Sequence, residues 1–296
     1  PTILPSPTPT PTPAPAPAPA PSPTPTPSPT ATDPTSIATS FDVAPDVASC
    51  RAGTLKPEVL AFVLDDINAI RALHQLPPVT YNAAYSADAQ EAALMMVANR
   101  QLSHTPPSSW TCYTAAGAAV AGSGNLAYQT GGFPSNDSVF SGWLDETSNL
   151  VAENVGHRRW ILYPFLGQIS YGRVSTSDQN HAEALKVFGF GSTPSNYGTM
   201  PDFVAYPFGA YPARYFDANA LLSFSVIANK TSPAGNNNVD FANATITVQN
   251  AGGGFMTVSS IASDNVGYGL PNNIQWRVAG LQNGVTYNVR ITNVIV

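Results

Sequence analysis

Two of the chain's four histidines lie within residues 94–160. His104 ends the run Gln-Leu-Ser-His, and His157 is the second residue of Gly-His-Arg-Arg-Trp. Glu146 lies between them, three residues after Trp143. Imidazole is the commonest protein ligand for metals, and it also serves as a general acid or base near neutral pH. The first question for the fold is therefore whether the two imidazoles meet beside that acid in one cavity.

Two predicted helices lead up to His104. Pro57 suits the first turn of a helix, and the apolar residues that follow recur at helical spacing and give one buried face: Leu60, Val63, Leu64, Ile67 and Ile70. His74 ends this helix, and we expect it to lie at the surface or to cap the helix. A second helix, rich in alanine, is predicted from Ala83 to about Gln101. It places His104 at a helix C-terminus, where the helix dipole favours a protonated imidazole.

The region that leads to Glu146 is predicted to contain a loop and then a third helix. Residues 115–132 are small and rich in glycine, which is typical of a loop. Asp137 can cap a helix over residues 138–150. Trp143 and Glu146 lie three apart on it and face the same way. We interpret the tryptophan as a core residue.

Two short strands are predicted after His157. They are residues 168–174 and 184–190, bounded by glycines. Helices followed by short strands are typical of a layered α+β domain. We interpret Arg158 and Arg159 as surface or cap residues. His181 lies in a polar loop, and we expect it to face solvent.

The C-terminal part changes character at residue 201. Short alternating runs rich in valine, isoleucine, threonine and aromatics are separated by glycine and asparagine clusters, which predicts an all-β sandwich of immunoglobulin-like or fibronectin-like kind. The runs are Ala220–Ile227, Ala244–Gln249, Phe255–Ile261, Asn273–Val278 and Val285–Val294. Asn283-Gly284 is a hairpin signal. Residues 201–215 are predicted to be an ordered connector. Exposed aromatics leave a carbohydrate-binding role open as an alternative.

The chain begins with a low-complexity arm. Every second residue from Pro5 to Pro29 is proline, and proline fixes φ and lacks an N–H. Residues 1–35 are therefore predicted to form an extended polyproline II rod. The arm is a plain spacer, a glycosylated stalk, or a segment that docks on neighbouring subunits and drives self-assembly. Threonines beside prolines are candidate O-glycosylation sites, among them Thr8, Thr10, Thr12, Thr24 and Thr26.

Composition argues against nucleic acid as a partner and against a membrane-spanning helix. Charged residues make up 10% of the chain, the net charge is −6, and no basic stripe is present, so we expect no nucleic acid. No apolar run reaches the length of a membrane helix. The chain does not begin with Met and shows no signal peptide, so we expect that a signal has been removed or that this is a fragment.

The two cysteines and three asparagines bear on whether the protein lies outside the cell. Cys50 and Cys112 match no zinc motif. We favour a disulfide over two buried thiols, because the arm's composition points outside the cell, where disulfides persist. Three sites fit the N-glycosylation pattern: Asn136, Asn229 and Asn243.

A set of short motifs resembles one known family. The motifs are Asn68-x-x-Arg71, Leu76-Pro-Pro-Val79-x-Tyr-Asn82, Ala89-Gln90, Leu102-Ser-His104, Asn125-Leu-Ala127, Trp143-x-x-Glu146 and Gly156-His157-Arg158. Their order resembles the CAP superfamily, the secreted domain shared by cysteine-rich secretory proteins, antigen 5 and pathogenesis-related-1 proteins, and the bacterial branch fits best. The resemblance implies a three-layer α-β-α sandwich. We accordingly predict an arm (1–35), a lead-in (36–54), a CAP domain (55–200) and a β-sandwich (201–296).

The resemblance also implies a central cavity with two histidines and two glutamates. They fall on His104, His157 and Glu146, whereas the position of the other acid is Gly124. Three interpretations follow. The histidines bind Zn²⁺, with water or Glu146 completing the shell; an acid–base pair serves hydrolysis; or Glu146 tethers the histidines by hydrogen bonds. We expect Glu153 to be a candidate for the place left by the missing acid.

The sequence therefore predicts a secreted or cell-surface module that binds an extracellular ligand. The family implies a lipid, a peptide or a cell-wall glycan as that ligand. A metal-assisted or acid–base hydrolase is one alternative, and a structural subunit of an extracellular assembly is the other. We lean away from an enzyme because Gly124 replaces one of the four cavity groups, and because no motif places a serine or cysteine nucleophile beside a base.

Overall fold

The computed structural model describes residues 37–131, 142–191 and 199–296. The predicted polyproline arm and its threonines lie outside these ranges, as does Asn136. Within them, no helix has both the length and the apolar character needed to cross a membrane.

The first half of the chain alternates helices with short strands. In chain order its elements are α1 (Ile37–Ser40), β1 (Phe41–Val43), β2 (Thr54–Leu55), α2 (Pro57–Leu73), β3 (Thr80–Tyr81), α3 (Ser86–Asn99), α4 (Ala115–Ala121), β4 (Gly124–Thr130), α5 (Gly156–Ile161), β5 (Gln168–Ser175) and β6 (Asn180–Lys186). Strands β1 and β2 form a small antiparallel pair. The main sheet has the order β3-β5-β6-β4, in which β3 runs parallel to β5 and the other pairs are antiparallel.

Helices cover both faces of this sheet and give three layers. Alternate residues of a strand point to opposite faces, so Ile169 and Tyr171 of β5 pack against the apolar face of α2. On the other face, α3 and α4 pack against β5 and β6 through small residues. Gly172 is required there, because a Cβ at that position would lie 2.1 Å from the carbonyl carbon of Ala89 in α3. The predicted α2 and α3 are confirmed within a few residues at their ends.

The disulfide is also confirmed. Cys50 and Cys112 are bonded, with their Cα atoms 5.1 Å apart. The bond joins the segment before β2 to the segment between α3 and α4. Two distant parts of the chain are thereby held against the same edge of the domain.

Two predicted elements of this half are wrong. The loop predicted over residues 115–132 is instead mostly regular, because Ala115–Ala121 form α4 and Gly124–Thr130 form β4. Alanine has the highest helix propensity, and the hydroxyl of Thr114 caps α4 by accepting a hydrogen bond from the N–H of Gly117 at 3.0 Å. The predicted third helix is helical at residues 142–145 but has ended at Glu146, whose φ is +59°. Residues 138–141 lie outside the described ranges.

Two histidines that we expected at the surface are buried. His74 does follow the last turn of α2, yet it is 2% exposed. Its ring contacts Tyr211 of the C-terminal half. His181 lies in β6, is 1% exposed, and its Nδ1 atom lies 2.7 Å from the hydroxyl oxygen of Ser175. Local sequence did not show either surrounding, because Tyr211 lies 137 residues after His74 and His181 is covered only once β6 lies between β5 and β4.

The second half is built from antiparallel strands. They are β7 (Phe203–Tyr206), β8 (Leu222–Val226), β9 (Thr245–Asn250), β10 (Val258–Asp264), β11 (Asn273–Val278) and β12 (Tyr287–Thr292). One sheet has the order β10-β11-β8-β7 and the other is the pair β12-β9. An apolar core of its own lies between them, including Trp276, Val248 and Ile246.

Two predictions for this half need correction. Asn283-Gly284 does not join a hairpin, because β11 before it and β12 after it belong to different sheets. The connector over residues 201–215 contains strand β7. The core of the first half also continues past residue 200 into Val204, Tyr206 and Tyr215. The domain boundaries stay predictions, but the apolar packing is continuous between the two halves.

Candidate functional site

Glu146 is the centre of the hydrogen-bond network that positions His157. Its Oε2 atom lies 2.8 Å from Nδ1 of His157 and accepts a hydrogen bond from Nδ2 of Asn149 at 2.8 Å. Its Oε1 atom accepts the backbone N–H of Arg158 at 2.9 Å, which caps the first turn of α5. The side chain is 1% exposed. Both carboxylate oxygens therefore have protein donors, and the glutamate acts as a tether.

This arrangement sets the orientation of the His157 ring. Because the carboxylate accepts, Nδ1 of the imidazole donates, and Nε2 carries the free lone pair of the neutral ring. Trp143 stacks on the ring with centroids 6.4 Å apart. Strand β4 holds both residues, since Leu126 accepts from the Trp143 indole at 3.2 Å and Asn125 donates to the His157 carbonyl at 3.0 Å.

His104 is positioned by a hydrogen bond to the C-terminal end of α4. It lies in the chain that leaves α3 and is exposed. Its Nδ1 atom lies 2.8 Å from the carbonyl oxygen of Ala121, the last residue of α4. A carbonyl oxygen only accepts, so Nδ1 donates and Nε2 is again the free nitrogen of the neutral ring. The two histidines thus contact residues 121 and 125, four apart at the turn from α4 into β4.

The donor set fits a metal ion in part. Both histidines present Nε2 as the unprotonated nitrogen, and the bond from Glu146 to His157 is the kind of outer contact that orients a ligating imidazole. Glu146 itself is not a free third ligand, because its oxygens accept from three protein donors. Among residues 37–131, 142–191 and 199–296, no group of three or more His, Cys, Asp or Glu side chains is arranged to hold a metal.

The position of the missing acid is closed by the backbone. Gly124 pairs with Lys186 across the sheet, and a Cβ at Gly124 would lie 2.4 Å from the carbonyl oxygen of Leu185. A glutamate does not fit this backbone without movement of β4 or β6. Glu153 does not take the place, because it pairs with Arg277 of β11 at 3.2 Å.

A serine beside a basic nitrogen does occur here, contrary to our expectation. The ammonium of Lys186 donates to the hydroxyl oxygen of Ser123 at 2.8 Å, and both residues are buried. Burial lowers the pKa of Lys186. The serine hydroxyl in turn donates to the carbonyl of Ala119 at 2.7 Å. The hydroxyl proton of Ser123 therefore already has an acceptor in α4. Through its hydrogen bonds to Ala119 and Lys186, the serine links α4 to the sheet.

Arg158 follows the histidine and is buried, so the prediction of a surface or cap residue is wrong. Its guanidinium donates to the carbonyl of Leu221 at 2.7 Å and to the hydroxyl of Ser223 at 3.1 Å. It also lies 3.8 Å from the centroid of the Tyr206 ring. Burial lowers the pKa of Arg158. The side chain therefore joins the site to the C-terminal half.

Arg159 makes a second junction of the same kind. It binds both carboxylate oxygens of Asp264 at 2.8 and 3.0 Å. It also donates to the carbonyls of Val266 and Leu270 at 2.8 and 2.9 Å. Sequence reasoning missed both arginines. A signal was present, since adjacent arginines are notable in a chain with only 10% charged residues.

Comparison with known proteins agrees with the motifs. Residues 64–190 match the model of the CAP family, described as the cysteine-rich secretory protein family. A crystal structure of an extracellular protein containing a SCP domain, from Bacillus anthracis str. Ames, aligns at 18% identity with a TM-score of 0.32. The alignment covers 46% of this chain and 45% of that chain, so this chain spans less than half of that structure. No curated protein sequence matches.

Proposed function

Because this chain belongs to the CAP superfamily through residues 64–190, we propose that it is an extracellular module that acts by binding. The observation that carries the proposal is that Glu146 is buried and that both of its carboxylate oxygens accept hydrogen bonds from the protein. A general base must reach a substrate proton, whereas this carboxylate is buried and accepts from His157, Arg158 and Asn149. Its role is to hold one face of His157 toward a ligand.

The disulfide supports the extracellular location. Cys50 and Cys112 are paired, and disulfides persist in oxidising compartments but are rare in the cytosol. The family name is also that of a secretory protein family. Fractionation of the producing cells tests this point, and mature protein retained in the cytosol would contradict it.

Divalent metal binding at His104 and His157 is the second candidate. Its support is that each ring is held through Nδ1, so that each neutral imidazole keeps Nε2 as its unprotonated nitrogen. Zn²⁺ bound there would act as a Lewis acid, with solvent or an anionic ligand completing its shell. Calorimetric titration with Zn²⁺ tests it. We expect His104→Ala and His157→Ala each to abolish Zn²⁺ binding. An affinity equal to that of the wild type in either variant would refute a shared site.

A ligand panel separates binding from hydrolysis. Anionic and neutral lipid vesicles, an unstructured peptide library and purified cell-wall glycan are each incubated with the protein. We expect one class to bind without chemical change, and to bind less well to His157→Ala. Mass spectrometry of the recovered ligand gives the opposing outcome: a cleaved product that disappears in His157→Ala would establish a hydrolase.

The C-terminal half carries two finer proposals. Its two antiparallel sheets around one core support an immunoglobulin-like sandwich, with four strands facing two. N-glycosylation is better supported at Asn243, which is exposed, than at Asn229. The latter's side-chain oxygen accepts from the N–H groups of Thr231 and Ser232 at 2.9 Å each. Intact-mass measurement of native protein, before and after glycosidase treatment, tests both asparagines.

A further inference from the structure

A large groove with many aromatic residues, called here the aromatic groove, opens in the C-terminal half, and its lining includes neither His104 nor His157. It has a volume of about 1060 Å³ and lies between residues 203–216 and residues 281–291. Its lining contains eight aromatic residues, among them Phe208, Phe224 and Trp276. This volume is at the upper end of the range for ligand pockets.

The groove follows from the unequal size of the two sheets. The pair β12-β9 faces a sheet of four strands, and β9 contacts β10 at one end of that sheet. Two strands cover only part of four, so Phe203 and Ala205 of β7 and Phe224 of β8 stay half-buried and form the floor of the groove. Strand β12 and the loop before it, residues 281–286, make one wall, and the loop from Tyr206 to Pro212 makes the other.

We propose that this groove binds the proline-rich arm, residues 5–29, of this chain. Grooves lined by aromatic rings recognise polyproline II segments, because flat rings pack on the proline ridges and the stiff ligand loses little entropy. Proline occupies every second position of the arm. The remaining positions are Thr, Ala and Ser, which are small enough to lie in the groove and carry no charge.

The polar groups of the groove match the same occupant. The indole N–H of Trp276 is buried and has no acceptor in the described part of the chain. Indole only donates. A segment with proline at every second position has half the N–H groups of an ordinary peptide but all of its carbonyls. The arm therefore offers the acceptor that the floor of the groove lacks.

The arm is long enough to reach the groove. The described chain starts at Ile37, so Pro29 lies within ~25 Å of it and Pro5 within ~100 Å at about 3.1 Å per residue. A folded body of this size has a radius of gyration of only ~18 Å. The same repeat recurs every two residues, so many registers fit. Tethering gives an effective concentration in the millimolar range, which populates even a weak contact.

Site-specific photo-cross-linking in the full chain tests the proposal. Benzoylphenylalanine replaces Phe208 in one wall or Val285 in the other, so that one position remains if the other disturbs folding. Phe255 is the control, because it is 75% exposed on the same half and outside the groove. We expect cross-links from Phe208 and Val285 into residues 5–29, none from Phe255, and loss of the cross-links when a free peptide of residues 5–29 is added in excess.

The outcomes decide both the occupant and its origin. A peptide with alanine in place of every proline should fail to compete. Mixing light and heavy isotope-labelled chains tests the origin of the arm: we expect cross-links within single chains, and light–heavy cross-links would assign the groove to a neighbour's arm instead. Cross-links that avoid residues 5–29 at both wall positions would overturn it. Competition by glycan or lipid vesicles, but not by the proline-rich peptide, would assign the groove to that ligand instead.

Discussion

The Nε2 atom of His74 lies 3.0 Å from the hydroxyl of Tyr211, so a histidine at the end of α2 touches a wall of the aromatic groove. The two rings also meet edge to face, with centroids 5.3 Å apart. The contact joins the first half of the chain to the C-terminal half, with the histidine buried and the tyrosine half-buried. Arg71 and Arg158 are the cations that face this histidine.

Stability should fall in mild acid because of His74. Burial is the main cause that lowers its pKa to about 3, and the nearby arginines add to the effect. The unfolded histidine has a pKa of about 6.5, so between those values only the unfolded state takes up the proton. The stability that neutral His74 contributes is therefore fully present above pH 6.5. It decreases as the pH falls below that value, and the decrease levels off near pH 3.

The expected loss of unfolding free energy from His74 between pH 7.5 and 4.5 is about 3 kcal/mol, because the loss accrues below pH 6.5 at about 1.4 kcal/mol per pH unit. Urea unfolding at both pH values measures it in the wild type and in His74→Gln. Other groups titrate in both proteins, so the informative quantity is the difference between their two losses. Equal losses in the two proteins would contradict the assignment.

Arg158 should be worth far more to stability than an exposed arginine. Arg158→Ala leaves the carbonyl of Leu221 without its donor and removes the contact with Tyr206. Deleting one partner from a buried charged network typically costs about 3–5 kcal/mol. Arg100→Ala is the matched control, since that side chain is 68% exposed in its ion pair with Asp178, and surface pairs contribute about 0–1 kcal/mol. Chemical denaturation compares them, and similar losses would refute the role given to Arg158.

The disulfide should contribute about 4 kcal/mol in the chain-entropy model, because it closes a loop of 62 residues. The double variant Cys50→Ser, Cys112→Ser is compared with the wild type by urea unfolding without reductant. Addition of a thiol reductant should bring the wild type close to the variant. A variant as stable as the oxidised wild type would show that the disulfide makes no net contribution to the free energy of unfolding.

Gly124 should tolerate no side chain. Gly124→Ala places a Cβ 2.4 Å from the carbonyl oxygen of Leu185, so β4 must move away from β6. Overpacking of this kind costs about 1–3 kcal/mol. Gly142→Ala is the control, because nothing lies within 4 Å of its Cβ position, and alanine suits a helix. Thermal melts should separate the two variants, and a neutral Gly124→Ala would show that the family's second acid could be restored here.

Local patterns predicted the elements whose own residues dictate them. The apolar spacing of α2 and the alanine-rich α3 came directly from sequence. The composition of the arm favoured the Cys50–Cys112 pair, and the family resemblance implied Glu146 near His157. The failures involve partners far away in the chain. Arg158 is charged and adjacent to a helix start, which locally indicates solvent, but its acceptors include the carbonyl of Leu221, 63 residues later.

The groove was hidden from sequence for a related reason. Alternation predicted β8, β9, β11 and β12 as strands, but not which sheet each one joins. The turn signal at Asn283-Gly284 favoured pairing of β11 with β12. The pairing of β12 with β9 instead leaves Phe203, Ala205 and Phe224 of β7 and β8 only half-buried. Sheet assignment depends on packing among distant strands, which no local window contains.

Glu146→Gln should separate the tether from the ligand site. A glutamine has one acceptor oxygen, so it cannot accept from both Nδ1 of His157 and the N–H of Arg158 as the carboxylate does. If its amide faces His157, the ring must accept at Nδ1 and carry its proton on Nε2, which blocks that nitrogen as a ligand. Loss of such an orienting contact typically weakens metal affinity by about 10–100-fold. Glu153→Gln is the control, because Glu153 is exposed and paired with Arg277. Zn²⁺ titration of both variants, with circular dichroism to confirm folding, measures the effect. Unchanged affinity in folded Glu146→Gln would mean that His157 binds no metal through Nε2.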